Sequence, residues 1–144
     1  MANPATAPPR PTAPPRPQSM PPNARNGTQP NGGHAAEISN LLVKLVTEHT
    51  GRGPTKTATY FNEDLISVVM KDALTKGERS LVRSGKDKLV LDVRVAFQQG
   101  MREDFITGIE TITGRKVRAF LSANHIDPDI AIESFVLEDG SSTR

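Results

Sequence analysis

Cysteine and tryptophan are missing from this 144-residue chain, and its aromatic residues are one tyrosine and five phenylalanines. Without cysteine there is neither a disulfide framework nor a thiolate metal site. The core must therefore come mainly from aliphatic side chains. Long apolar runs are missing too: none approaches the ~20 residues that a helix needs to cross a bilayer. The first residues hold no apolar stretch of the kind a secretory signal carries. The chain is accordingly read as soluble and cytoplasmic, with no direct membrane insertion.

Acids are missing from the N-terminal segment. Arg10, Arg16 and Arg25 precede Ala35 with no Asp or Glu among them, a charge of +3. The other 15 of the 18 Lys and Arg stand against all 16 Asp and Glu, a net of −1. The basic isoelectric point of about 9.2 thus belongs to that segment. A near-neutral globular part lacks the clustered basic face that nucleic acid requires, so no nucleic-acid partner is expected.

Proline is abundant only there. Ten of the twelve prolines lie before His34, which bars regular helix and favours polyproline or coil. Residues 1–34 are read as a disordered tail. The sequence APPRP occurs at 7–11 and again at 13–17. It could act as a PxxP-type ligand or touch a polyanion, but a solvated tail needs no partner to exist. Folding is expected as one domain over residues 35–138, with 139–144 a frayed end.

Within that domain, Ile38, Leu41, Leu42, Leu45 and Val46 recur at helical spacing and predict a first helix to Thr50. Gly51 and Pro54 stop it. Residues 55–61 have strand composition, Asn62-Glu63-Asp64 reads as a turn, and residues 65–71 form a more buried strand paired as a hairpin. Thr75 and Glu78 make a capping box that opens a short helix to about Val82. Residues 87–113 hold no proline and end at Gly114, predicting one helix of roughly 40 Å. Residues 116–123 alternate, with Val117, Ala119, Leu121 and Ala123 on one face; residues 124–129 are a turn and 130–137 the last strand.

Each half runs helix, Thr-Gly-Arg, strand, turn, strand: Thr50-Gly51-Arg52 first, Thr113-Gly114-Arg115 second. The expected fold class is α+β, a two-layer αββαββ with a four-stranded antiparallel sheet, helices on one face, and one long helix. In that helix Leu89, Val93, Phe97, Met101, Phe105 and Ile109 recur every fourth residue, so the stripe winds by roughly 200°. Strands of seven residues span only ~23 Å. The helix should overhang the sheet, its halves 89–97 and 101–112 facing different neighbours with the change at Gly100. A second copy covering the overhang, a homodimer, is expected.

Two turns could carry chemistry. Gly51, Arg52, Gly53, Pro54 and Lys56 form a glycine-rich turn with two cations, able to hold an anion or a partner. It lacks the Gly-Lys-Ser/Thr of a phosphate loop and leads into a strand, so helix stop plus strand start also explains it. Asn124, His125, Asp127 and Asp129 could contact a partner. In an extended segment His125, Asp127 and Asp129 could converge on a cation, though a turn uses the same residue types for backbone reasons. No nucleophile with its base is recognisable; no enzyme, cofactor or resident metal is expected.

As an ordered set, five motifs resemble the MpsC family, named for the third component of a Na+-translocating membrane-potential-generating system. They are Gly51-Arg52-Gly53-Pro54, Leu74-Thr75-Lys76-Gly77-Glu78, Thr113-Gly114-Arg115-Lys116-Val117, Asn124-His125-Ile126-Asp127-Pro128-Asp129 and Glu133-Ser134-Phe135-Val136-Leu137-Glu138. The resemblance implies a non-enzymatic accessory or regulatory protein beside a membrane system for cation movement or inorganic-carbon uptake. A membrane transporter subunit is the implied partner. The alternative is an anion- or metal-binding regulatory domain built on the two turns.

Overall fold

A computed structural model describes residues 32–139, together with Pro9 and Pro11. The reading of a disordered tail otherwise falls outside the described residues. Helix α1 (Gly32–Thr50) begins three residues earlier than its apolar periodicity announces. Strands β1 (Lys56–Asn62) and β2 (Leu65–Lys71) form the first hairpin. A short helix α2 (Lys76–Arg83) leads to the long α3 (Asp87–Thr113), and β3 (Val117–His125) and β4 (Ile130–Leu137) form the second hairpin. The fold is α+β, with one four-stranded antiparallel sheet in the order β1-β2-β4-β3.

The two αββ halves meet along β2 and β4. Ser67 pairs with Ser134 midway along that seam, their hydroxyls 3.0 Å apart. One face of the sheet carries the core: Ile66, Val68 and Met70 from β2, Ala131, Phe135 and Leu137 from β4. Ile38, Leu42, Leu45 and Val46 of α1 and Met101, Phe105 and Ile109 of α3 close over them, so α1 and α3 share that face. The helices meet at Gly108, where a Cβ would lie 2.2 Å from Leu41 Cδ2. Gly100 faces open space, and α3 runs through it unbroken.

Two features depart from the sequence reading. The buried positions of α3 are Val90, Arg94, Gln98, Met101, Phe105 and Ile109. One of these steps is three residues rather than four, so the stripe winds by about 100°, half the expected amount. Its N-terminal half is not left overhanging: Val90 is fully buried, in a niche shared with Leu74, Ile130 and Ala131. Polar Arg94 and Gln98 hold the positions that an apolar count assigned to Val93 and Phe97.

The second departure is in β3, whose register shifts between Val117 and Ala119. A bulged residue breaks the strict alternation of faces. Val117 pairs with buried Leu137 and Phe120 with buried Phe135, while Ala119, Leu121 and Ala123 point away from the core. Val117 therefore does not share a face with those three. The gain is aromatic: the Phe120 ring lies 5.1 Å from Phe135 and 5.9 Å from Phe105.

Candidate functional site

The two Thr-Gly-Arg segments are equivalent clasps. Thr50 Oγ1 donates to Val46 O at 2.8 Å and Thr113 Oγ1 to Ile109 O at 2.8 Å. Each hydroxyl also accepts from the arginine amide two residues on. Between them, Gly51 and Gly114 adopt φ of 85° and 69°, a left-handed cap that favours glycine. Each guanidinium then grips the end of a strand in its own half. Arg52 donates to the carbonyls of Asp72 and Leu74 and to Asp72 Oδ2, 3.0 Å away. Arg115 donates to Glu138 O at 2.6 Å and to Asp64 Oδ1 at 2.5 Å.

Asp72 also pairs with Arg79 of α2. The Arg52 hydrogen bond, aided by Thr55, holds the Asp72 carboxyl below its ordinary range. Gly53 abuts Thr47 and Pro54 is half-buried. Lys56 stands opposite Lys71, on the sheet face turned away from the core. The structure thus engages Arg52 with the Asp72 carboxylate and two backbone carbonyls, while Lys56 has no ion-pair partner among the described residues.

At the same end of the sheet as Asp72, whose amide donates to Asp129 O at 3.1 Å, the segment after β3 is a turn with a cis Asp127-Pro128 bond, not an extended run. His125 Nδ1 donates to Pro128 O at 2.7 Å. Asp129 Oδ2 accepts from Leu74 N at 2.9 Å and lies 4.0 Å from Arg79 Nη2. Asp127 is exposed on the rim. His125, Asp127 and Asp129 therefore do not converge on a cation. No group of three or more His, Asp or Glu among the described residues is placed to hold a metal.

Thr75 and Glu78 cap α2 reciprocally: Glu78 N donates to Thr75 Oγ1 at 3.1 Å and Thr75 N to Glu78 Oε1 at 2.8 Å. The second oxygen of Glu78 faces Arg94, its Oε2 3.1 Å from Nε, with both side chains over nine-tenths buried. One helical turn on, Gln98 Nε2 donates to Glu133 Oε1 at 2.9 Å, and Gln98 and Asn124 exchange amide hydrogen bonds of 2.9 Å. This row of Glu78, Arg94, Gln98, Asn124 and Glu133 joins α2, α3 and both strands of the second hairpin. Burial pushes the Glu133 carboxyl up to about 7, against opposing hydrogen bonds from Ser122 and Gln98 and the Arg94 charge. Arg94 Nη2 and Glu133 Oε2 are buried without hydrogen-bond partners among the described residues.

Arg94 and Gln98 lie outside the motifs named above, and Glu133 stands among them only as part of the terminal motif. A usable signal existed: Arg94 and Gln98 are spaced four apart in line with Val90 and, three further on, Met101.

Over residues 31–139 the sequence matches the family described as Na+-translocating membrane potential-generating system (MpsC). The chain belongs to the MpsC family. No curated protein and no solved structure matches it. The matched span begins one residue before α1 and ends with the last described residue, so it coincides with the fold.

In this MpsC chain no helix among the described residues is long and apolar enough to cross a membrane. No helix among the described residues covers the sheet face turned away from α1 and α3. The pleat sets Ala58, Tyr60, Leu65, Val69, Ile132 and Leu121 there. Leu121 is 58% exposed, Tyr60 53%, Leu65 39% and Ile132 38%, four of the six exposed large apolar side chains among the described residues. The face carries no acid and has Lys56 and Lys71 at one corner.

Proposed function

We propose that this protein is a non-enzymatic accessory or regulatory component of a membrane cation-translocating system, dimeric and acting through protein contacts. The observation that carries the reading is the apolar, acid-free sheet face. An exposed apolar surface of this breadth marks an interaction site. Family membership supplies the system: the MpsC description names Na+ translocation and membrane potential. A chain whose described helices cannot cross a bilayer contributes to such a system by contacting a subunit that does. The reading places the protein at the cytoplasmic side.

The test is affinity purification of the tagged full-length chain from detergent-solubilised membranes. A membrane-embedded transport subunit enriched with the wild-type protein is the expected result. Repeated recovery of the chain without any such subunit contradicts the assignment.

A second reading rests on Arg94. Its partnerless Nη2 lies beside a narrow niche under the β3–β4 turn, bounded by Leu74, Asn124 and Asp129. The niche has room for about one water molecule, so a monatomic anion such as chloride entering there would find a buried donor, giving an anion-binding regulatory domain. A melting-temperature screen across the halide ions at constant ionic strength separates the readings, since a ligand of the native state stabilises it. A flat screen removes the second one.

A further inference from the structure

We propose that the outer sheet face is the homodimer interface, two copies packing sheet against sheet in opposite strand directions. The inference rests on the dimeric reading above and deepens it by placing the contact and its register.

Charge fixes the arrangement. Lys56 and Lys71 are direct cross-strand partners at one end of the β1–β2 hairpin, and like charges so placed repel. Neither has an ion-pair partner among the described residues, and no acid lies on the face to relieve them. At the other end of the same hairpin Glu63 is exposed and likewise unpaired. Consider a two-fold axis parallel to the sheet and perpendicular to its strands. It lays β1–β2 of one copy over β1–β2 of the other, end for end. Both lysines then meet Glu63 of the second copy, and the contact repeats itself as isologous interfaces do.

The same axis treats the rest of the face consistently. Leu121 lies at the middle of the nine-residue β3 and therefore meets its own counterpart near the axis. Ile132 and Ser134 flank the middle of β4, so the interface centre is apolar with small hydroxyls, and charge is confined to its rim. Sheets that pack face to face about 10 Å apart interdigitate such side chains and keep their strands within ~30° of alignment. The β3 bulge makes this possible. Without it Ala119, Leu121 and Ala123 would share a face with the inward-pointing Val117.

Light scattering on the eluting full chain gives its mass directly. The wild type should elute at twice the monomer mass at micromolar concentration. Ile132→Asp, at a surface position, should keep its circular dichroism and melting behaviour yet raise the dimer dissociation constant by at least ~100-fold, a buried charge having no partner. Glu63→Lys should weaken the dimer about tenfold, and adding Lys71→Glu should restore it, because the charge pair is re-formed with reversed sign. A dimer unmoved by Ile132→Asp but broken by Val95→Asp overturns the interface and keeps the dimer. A wild-type monomer throughout overturns both.

Discussion

Glu133 stands on a central strand with 1% of its surface exposed, held by Gln98 and short of a full complement of partners. Its carboxyl titrates near 7 in the fold against an ordinary value of 4.5. A folded value above the unfolded one means the group favours folding while protonated. Its stabilising contribution is complete below about pH 4.5 and is lost as pH rises through about 7. Glu133→Gln removes the titration. The variant should gain on the order of 1–3 kcal/mol over wild type at pH 8 and little or nothing at pH 4.5. Urea denaturation at the two pH values measures the difference; equal effects at both would show that Glu133 is charged or neutral throughout.

Arg94 gives the converse case. It neutralises Glu78 at the buried end of α2, and its side chain is 7% exposed. Arg94→Leu strands the Glu78 carboxylate and should cost roughly 3–5 kcal/mol, as breaking one side of a buried pair does. Arg94→Leu with Glu78→Gln should recover part of this, since Gln retains the oxygen that caps Thr75. Chemical denaturation of both variants reads the recovery. None means that the guanidinium contributes by packing alone.

Among the elements, glycine separates two environments on one helix. At Gly100 a Cβ meets nothing within 4 Å, so Gly100→Ala should stabilise by up to ~1 kcal/mol through helix propensity alone. At Gly108 the same change meets Leu41 at 2.2 Å and should destabilise by about 1–3 kcal/mol. Leu41→Val in the Gly108→Ala background should return part of the loss. Melting temperatures of these variants decide it, and opposite signs at the two glycines are the outcome that the α1–α3 crossing requires.

The elements were legible because their periods are clean. The apolar spacing of α1, the capping box of α2 and the glycine after α3 each state a boundary in local chemistry. What escaped is non-local. Nothing near Arg118 announces a bulge, which is fixed by Phe120 reaching the ring cluster of Phe105 and Phe135. The seam of α3 escaped because a hydrophobic count passes over Arg94 and Gln98, although both are buried by partners 16 and 35 residues away in Glu78 and Glu133. At the turns, residue type was readable but direction was not. Arg52 faces inward to Asp72, and the turn after β3 scatters the side chains that an extended segment would have aligned.

For the whole molecule, the layering sets the functional reading. Two helices close one face of the sheet and leave the other apolar, free of acid and flanked by opposite charges at the two ends of one hairpin. The absence of native cysteine makes that face directly testable, because any introduced thiol is the only one present. Leu121→Cys places a sulfur near the proposed axis, and Val95→Cys places one on an exposed flank of α3 as a control. Treated with a short bis-maleimide, a reagent that spans the ~10 Å between facing sheets, and run on denaturing electrophoresis, Leu121→Cys should convert to a covalent dimer and Val95→Cys should stay monomeric. Rapid cross-linking through Val95→Cys with none through Leu121→Cys would contradict the sheet-to-sheet arrangement.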